Sequence, residues 1–338
     1  MRKSKYLIIN SFYFDFNNDL TDIINVKESF KNQNILDLFR FDKITIIKKI
    51  NYENNINFIY LPQSIEIIDD ESFESNQIKI LDLSNCINLK IIKFWAFRNN
   101  QIKQLKLPQN IEIIRNVFAY NKIKLLDLSN YTKLKAIEFR SFEYNQIKQL
   151  KLPQNIETID AYAFKNNQIE SLDLSNCINL NIISQCAFEY NQIKQLKLPK
   201  NIAIIGNFSF QHNQIESLDL SNCINLNIIS ECAFKSNQIK QLKLPKNIEV
   251  MYKVAFKNNK IEMLDLSNCT NLKLIVSNAF AENPLNEIKI LDNINVDYYN
   301  YTEYKDDLWS KFIKYYKNNN KKAGDYKLEN NKWKWYPL

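Results

Sequence analysis

Residues 100–108 read NQIKQLKLP, and the same motif recurs at 145–153, 191–199 and 237–245. A second motif, NQIESLDLSNCINLNIIS, occupies 167–184 and 213–230, with variants that begin at Asn76, Asn121 and Asn259. The two motifs alternate, so repeats begin every 22 or 24 residues, except for one shortened repeat of 21 residues at 100–120. Self-similarity at such a period is typical of a solenoid.

Each repeat contains the pattern I-x-x-L-x-L, whose last residues alternate between apolar and polar, as in Leu105-Lys106-Leu107. Such alternation predicts a short strand with one buried face. One strand and one return segment cannot bury their apolar side alone, whereas stacked repeats bury it in a parallel sheet joined by right-handed crossovers. We therefore expect an α/β repeat fold: a right-handed leucine-rich-repeat solenoid with a parallel β-sheet on its concave face and short helical or irregular convex segments.

The repeat resembles the BspA-type leucine-rich repeats. The resemblance is carried by Leu150-Lys151-Leu152-Pro153, Ile156, Ile159 and Ala163-Phe164, and it recurs over about two-thirds of the chain. A glycine of the family pattern survives only as Gly206, which predicts tighter or less regular return turns. The resemblance implies a repeat protein that binds other macromolecules and has no catalytic residues.

The pattern divides the chain into three regions. We expect ten full repeats and a half repeat over 54–291, and an N-terminal cap or small helical region over 1–53. Residues 292–338 are expected to form a C-terminal cap. In that cap, apolar residues between Leu308 and Tyr316 recur at helical spacing, and Asn330-Asn331 favours a hairpin turn.

Composition excludes several classes of function. The chain of 338 residues has 2 Gly and 1 His, so it lacks both a Gly-rich phosphate loop and a multi-histidine metal site. We expect no catalytic residues, cofactor or metal. The net charge of +8 is spread along the chain, and a phosphate-tracking groove needs clustered, uncompensated Lys and Arg. These observations argue against nucleic acid as a partner.

Sequence also indicates the compartment. The basic start Met1–Lys5 is followed by an apolar run that is too short for a signal peptide, and no stretch is long enough to span a membrane. Cys177, Cys223 and Cys269 lie 46 residues apart, about 9.6 Å in a stacked geometry, which is too far for a disulfide. Buried thiols in a reducing, intracellular (cytoplasmic) setting are the preferred interpretation, and we expect a monomer.

Residues that recur in every repeat form columns along the solenoid. Ten phenylalanines from Phe73 to Phe280 predict a hydrophobic spine, and the asparagine at each repeat start predicts a scaffold role at the turn. A mid-strand column alternates Asp and Lys, from Asp82 and Lys106 to Asp265 and Lys289. We expect a self-neutralised surface that disfavours slips in register.

Function is expected where the pattern breaks, because identical repeats cannot supply distinct roles. The clearest break covers 76–144 and contains residue types that are common in interfaces. Four lysines in one column also predict attraction of an acidic partner, although such a run is more often a solvated face, and neutral drift explains the break equally well. The candidate partner-binding residues are Trp95, Tyr120, Tyr131, Arg140, Tyr144, Lys79, Lys103, Lys124 and Lys148.

The sequence thus favours a non-enzymatic scaffold that mediates protein–protein interaction, with an unidentified protein partner. Two alternatives stay open. A ubiquitin-ligase-type substrate adaptor predicts that 1–53 binds a ligase subunit independently of the repeats. A surface adhesin predicts a cleaved N-terminus and glycans on sequons such as Asn207-Phe208-Ser209.

Overall fold

A computed structural model describes residues 14–16, 22–26, 35–39, 41–49, 56–276, 278–296 and 307–338. The sequence start, on which the signal-peptide interpretation depends, lies outside this range. The chain forms two compact units, Met1–Asn155 and Ile156–Leu338. Both are stretches of parallel-strand solenoid, with about eleven turns in the chain as a whole, which confirms the predicted fold class.

The I-x-x-L-x-L pattern forms the first of two ladders of strands. Its central residue is buried and the residues on either side are exposed, because successive side chains of a strand point to opposite faces. In the N-terminal unit these strands are β3 (Ile35–Asp37), β5 (Phe58–Tyr60), β7 (Ile80–Asp82), β9 (Gln104–Lys106), β11 (Leu125–Asp127) and β13 (Gln149–Lys151). In the C-terminal unit they are β15 (Ser171–Asp173), β17 (Gln195–Lys197), β19 (Ser217–Asp219), β21 (Gln241–Lys243), β23 (Met263–Asp265) and β25 (Glu287–Ile290).

The isoleucine pair of each repeat forms a second ladder of two-residue strands, a feature that the sequence interpretation treated as irregular. The N-terminal unit contains β4 (Ile46–Ile47), β6 (Ile67–Ile68), β8 (Ile91–Ile92), β10 (Ile113–Ile114) and β12 (Ala136–Ile137). The C-terminal unit contains β14 (Thr158–Ile159), β16 (Ile182–Ile183), β18 (Ile204–Ile205), β20 (Ile228–Ile229), β22 (Val250–Met251), β24 (Leu274–Ile275) and β26 (Asn295–Val296).

Ladder pairing begins upstream of residue 54, in the segment expected to form a cap. Strand β1 (Phe14–Phe16) pairs antiparallel with β2 (Asp22–Val26), which pairs in parallel with β4. Strand β3 likewise pairs in parallel with β5. These early repeats lack the proline and the Ala-Phe pair that mark the later ones, so the repeat extends further toward the N-terminus than its sequence pattern indicates.

In the first ladder, each aspartate strand from β7 to β23 pairs in parallel with the lysine strand 24 residues further along the chain. The second ladder runs without interruption from β14 to β26 in the C-terminal unit. In the N-terminal unit it is interrupted between β8 and β10, beside the shortened repeat.

The core is a column of stacked phenylalanines, as predicted. Their rings are fully buried, with centroids 5.2–5.9 Å apart in the N-terminal unit and 5.2–5.5 Å apart in the C-terminal unit. At the end of the column, the Trp309 ring meets Phe280 edge to face at 5.1 Å. The column therefore ends on an aromatic side chain of the following helix.

That helix, α1 (Leu308–Asn318), begins at Asp307, whose carboxylate accepts a hydrogen bond from the Ser310 amide at 2.6 Å. Its apolar face buries Trp309, Phe312, Ile313 and Tyr316. Strands β27 (Gly324–Glu329) and β28 (Lys332–Tyr336) form a hairpin whose turn is Asn330-Asn331, and β27 pairs antiparallel with β25. The last strand of the first ladder therefore has its edge covered.

The repeat-start asparagines hold the turns together. The Oδ1 atom of Asn237 accepts a hydrogen bond from the Ile215 amide at 3.1 Å, and its Nδ2 donates to the carbonyls of Phe210 and Phe234. The same pattern recurs at Asn100, Asn121, Asn145, Asn191, Asn213, Asn259 and Asn283. These buried side chains satisfy backbone groups that neither ladder reaches.

Candidate interaction surfaces

Two turn positions in each repeat have positive φ, and glycine occupies none of them. At these positions the amide points along the stack and donates to the next repeat, as when Trp95 donates to Asn116 and Tyr120 to Glu143. The first position holds Glu71, Trp95, Asn116, Arg140, Tyr162, Cys186, Phe208, Cys232, Val254 and Asn278. The second holds Ser75, Asn99, Tyr120, Tyr144, Asn166, Tyr190, His212, Ser236, Asn258 and Glu282.

In the N-terminal unit, this corner carries a cluster of exposed aromatic side chains, here named the aromatic corner: Trp95, Arg98, Tyr120 and Tyr144. The Arg98 guanidinium lies 4.7 Å from the Trp95 ring centroid and 5.2 Å from that of Tyr120. Tyr120 stacks on Tyr144 with centroids 4.6 Å apart. Arg98 also bonds Glu74 at 3.2 Å, so the cluster is held in place by cation–π, stacking and ionic contacts.

Sequence reasoning missed Arg98 and selected Arg140 and Tyr131, whose contacts differ from those of the aromatic corner. Arg140 lies over the Phe139 ring at 5.0 Å and is 3.6 Å from the Glu143 carboxylate. Tyr131 is half-buried at the turn after β11, and its hydroxyl accepts a hydrogen bond from the Leu107 amide at 3.1 Å. The signal for Arg98 was its position three residues after Trp95, in the same turn as the spine residue Phe97.

A groove of about 800 Å³ opens at the interruption of the second ladder in the N-terminal unit. The shortened repeat lacks one residue between Arg115 and Asn116. At the equivalent position, the repeat before it has Phe94 and the repeat after it has Phe139. Arg115 covers Phe94 at 5.0 Å and bonds Glu138 at 3.0 Å. The groove is lined by both charges and by exposed isoleucines, among them Ile91 and Ile113.

The strand face of the N-terminal unit carries the four candidate lysines in one row, here named the lysine row: Lys79, Lys103, Lys124 and Lys148. All four are exposed. The Lys103 amide donates to the Lys79 carbonyl at 2.9 Å, and the Lys148 amide to the Lys124 carbonyl at 2.9 Å. Each of these two pairs therefore lies on directly adjacent repeats.

In the alternating column beside the lysine row, four lysines each form an ion pair with the aspartate of the preceding repeat. Lys106 bonds Asp82 at 3.0 Å and Lys151 bonds Asp127 at 3.3 Å, and Lys197 and Lys243 pair in the same way with Asp173 and Asp219. The other carboxylate oxygen of Asp127 accepts hydrogen bonds from the amide and hydroxyl of Ser129. These Ser129 bonds, with Lys151, hold the pKa of Asp127 below its usual value despite partial burial.

The six cysteines and the single histidine are packed into the repeats. Burial raises the pKa of Cys86 to about 11 and that of Cys269 to about 12, and all six cysteines are buried and free. His212 stacks on Tyr190 at 4.5 Å, and burial lowers its pKa. Among the described residues, no group of three His, Cys, Asp or Glu side chains is arranged to hold a metal ion.

Comparison with known families agrees with this architecture. The sequence profile of the BspA type leucine-rich repeat region matches six copies, over residues 21–135, 113–235 and 181–307. The chain belongs to the BspA-type leucine-rich-repeat family. The match begins at residue 21, in agreement with the ladder strands found upstream of residue 54. No curated protein matches the chain.

Solved structures with the same fold include the functional domain of InlJ from Listeria monocytogenes, at 18% identity and a TM-score of 0.50. The alignment covers 81% of this chain but 55% of the InlJ chain, so this protein matches about half of that length. The internalin InlF from Listeria monocytogenes is 16% identical, with a TM-score of 0.43, and 84% of this chain and 92% of that one are aligned. At these identities the similarity shows the fold alone. No helix among the described residues is long and apolar enough to cross a membrane.

Proposed function

We propose that this protein is a non-enzymatic scaffold that binds a protein partner through its N-terminal unit. The observation that carries the proposal is the aromatic corner, because Trp, Tyr and Arg side chains anchor interfaces when they are exposed yet held rigid. Trp95, Tyr120 and Tyr144 are exposed, and Arg98 joins the first two. A pre-ordered cluster loses little side-chain entropy when a partner docks.

The buried thiols argue against a cysteine nucleophile and support a location in a reducing compartment. A cysteine nucleophile acts as the thiolate, and burial stabilises the neutral thiol in all six cases. Disulfides form and persist in oxidising compartments, whereas these six cysteines are free. We therefore propose an intracellular location.

Two observations weigh against the alternatives. Asn207 of the sequon Asn207-Phe208-Ser209 accepts a hydrogen bond from the Glu231 amide at 3.1 Å, and Ser209 is fully buried, so a glycan there would disturb a formed turn. Strands β2 to β4 belong to the ladders, and their pairing with the repeats favours a cap over an adaptor segment that acts independently of them.

The test is affinity capture from the native cell with the full chain, followed by titration of the captured protein with purified variants. The double variant Trp95→Ala/Tyr120→Ala is expected to weaken binding by at least about tenfold, since interface anchors of this type contribute that much or more. Tyr190→Ala is the matched control, because it removes an equivalent stacked tyrosine from the C-terminal unit. Equal binding by all variants, or capture of no specific protein, would contradict the proposal.

A further inference from the structure

Two repeats of the N-terminal unit differ from their C-terminal counterparts at the same pair of exposed positions. Two C-terminal repeats carry Glu170-Ser171 and Glu216-Ser217 at the start of the first-ladder strand, and a third carries Glu262-Met263. The corresponding N-terminal repeats carry Lys79-Ile80 and Lys124-Leu125, followed by the same Leu-Asp-Leu-Ser-Asn sequence. Both positions change together in both repeats, from acidic and small polar to basic and apolar.

The first change produces like-charge repulsion that the scaffold does not need. Adjacent strands lie about 4.8 Å apart, and like charges directly opposite each other are destabilising. In the described part of the chain, none of the four ammonium groups of the lysine row has a carboxylate within ion-pair distance. In the C-terminal unit the same column alternates as Glu170, Lys194, Glu216, Lys240 and Glu262. Opposite charges therefore occupy neighbouring repeats there, and like charges do so in the lysine row, although ion pairs join neither set among the residues that the structure describes.

The second change leaves apolar surface uncovered beside the lysine row. Ile80 is 46% exposed and Leu125 is 59% exposed, whereas polar residues occupy the same column in most C-terminal repeats. Phe58 and Tyr60, on the strand before Ile80, are exposed as well. Phe58 and Ile80 occupy successive first-ladder strands, and Leu125 lies two strands beyond Ile80, after Gln104. Exposed apolar side chains on neighbouring strands, such as Phe58 and Ile80, mark interaction sites.

We propose that the first-ladder face of the N-terminal unit binds an acidic, apolar-bearing protein segment. Its carboxylates oppose the lysine row, and its apolar side chains cover Phe58, Ile80 and Leu125. This inference rests on the proposed scaffold function and names the chemistry of the partner. The charge complementarity is local, since the neighbouring column is already neutralised by the Asp82–Lys106 and Asp127–Lys151 pairs.

The same face is poorly suited to a nucleic acid. A phosphate backbone has no apolar groups to cover Ile80 and Leu125, and it would approach the carboxylates of Asp82 and Asp127 on the same strands. A protein segment supplies carboxylates and apolar side chains in alternation, at the spacing of a strand or loop. An anionic lipid surface is a distinct partner, which the experiment separates.

The experiment selects a phage-displayed library of random peptides of about 16 residues on the full-length protein. Lys79→Glu/Lys124→Glu restores the alternation of the C-terminal unit and serves as the comparison variant. Enriched peptides are expected to contain Asp or Glu together with Leu, Ile or Phe. A synthetic enriched peptide is expected to bind the variant at least about tenfold more weakly, and to lose affinity between about 50 mM and about 500 mM NaCl.

Several results would overturn the inference. Enrichment of non-acidic peptides, no enrichment, or equal binding to the double variant would each do so. Stronger binding of a single-stranded oligonucleotide or of phosphatidylserine-containing vesicles than of any selected peptide, lost in the same variant, would assign the face to another class of partner.

Folding of the variant is checked in the same experiment. Because the substitutions replace like-charge neighbours by opposite charges, Lys79→Glu/Lys124→Glu is expected to raise Tm by about 1–2 °C, and a lowered Tm would contradict the argument from repulsion. The reverse design, Glu170→Lys/Ser171→Ile/Glu216→Lys/Ser217→Leu, is expected to add a second peptide site to the chain. An unchanged stoichiometry would show that these pairs do not determine binding.

Failure of this inference can be told apart from failure of the scaffold function. If a captured cellular partner binds Lys79→Glu/Lys124→Glu normally but not Trp95→Ala/Tyr120→Ala, the scaffold function holds and the acidic-segment inference is wrong. If the full chain captures no specific protein, the scaffold function itself is wrong.

Discussion

Val254 adopts φ 53° at a turn position where an L-residue, and a β-branched one above all, is strained. Glycine accommodates this conformation, although it also increases the entropy of the unfolded chain. Since the left-handed conformation costs an L-residue about 1–2 kcal/mol, we expect Val254→Gly to raise the free energy of unfolding by about 0.5 kcal/mol or more. Urea denaturation, followed by circular dichroism, measures the free energy of unfolding of both proteins.

Val250 provides the matched control, because it belongs to the same repeat and is also half-buried, but its φ is not positive. It pairs with Ile228 and Leu274 in the second ladder. Val250→Gly is expected to lower the free energy of unfolding by about 1 kcal/mol or more. Equal destabilisation by the two substitutions would show that the backbone at Val254 is not strained.

Some roles of single residues could be predicted from sequence and others could not. The repeat-start asparagines were predictable because a turn residue that recurs in register has one common task. The positive-φ positions were not, since Trp95, Tyr162, Cys186 and Val254 carry no preference for that conformation. There the stack imposes the backbone, because the amide must reach the next repeat. Gly206 does not occupy one of these positions, because its φ is not positive.

At the scale of the element, five first-ladder strands, β7, β11, β15, β19 and β23, end in an aspartate that accepts hydrogen bonds from the serine two residues later. The Asp173 carboxylate accepts hydrogen bonds from the Ser175 hydroxyl at 2.6 Å and the Ser175 amide at 3.0 Å, and Lys197 lies 3.2 Å away. These contacts, with the Ser175 hydroxyl contributing most, lower the pKa of Asp173. The sequence interpretation had assigned this column to Lys pairing alone.

A lowered pKa in the folded state stabilises the protein above the unfolded-state pKa of about 4, and this contribution is lost as pH falls through the lower folded-state value. We therefore expect the urea midpoint to decrease below about pH 4. Ser175→Ala should weaken this dependence more than Lys197→Gln does, because the hydroxyl has the larger effect on the pKa of Asp173. Urea titrations across this pH range measure both slopes, and a steeper change in Lys197→Gln would assign the effect to the ion pair.

The first ladder was predictable from sequence because a strand with one buried face imposes alternation on its residues. The second ladder was not, since two isoleucines give no period and also fit an irregular return segment. The early, degenerate repeats were not predictable for a related reason. Ile35-Leu36-Asp37 keeps the strand pattern, but the proline and the Ala-Phe pair that mark later repeats are absent around it. The helix α1 and the hairpin that follows it lie where aromatic spacing and Asn330-Asn331 place them.

At the scale of the whole molecule, the two units share one scaffold but differ in surface chemistry. The same backbone positions hold Glu-Ser in two C-terminal repeats and Glu262-Met263 in a third, but Lys-Ile or Lys-Leu in the N-terminal unit. Packing does not require this difference, because both sets of side chains point outward and the buried leucines beneath them are the same. Recognition by a partner is a physical reason for a unit to keep repelling charges and exposed apolar groups.

Thiol chemistry tests the packing of the whole chain at once. All six cysteines are buried, and burial raises the pKa values of the thiols to about 11 for Cys86, Cys177, Cys223 and Cys232, and to about 12 for Cys186 and Cys269. At about pH 8 the reactive thiolate is therefore a minute fraction of each native thiol. We expect Ellman's reagent to label none of the six thiols rapidly in the native protein.

The same reagent in concentrated guanidinium is expected to label all six thiols, since unfolding returns their pKa values to the usual range of about 8.5. If protein purified from its native cell without reductant shows six labelled thiols, this result would support the proposed intracellular location, because an oxidising compartment favours disulfides. Rapid labelling of a native thiol would instead show that at least one repeat opens locally. A count below six under denaturing conditions would reveal an oxidised pair and contradict the proposal of free, reduced cysteines.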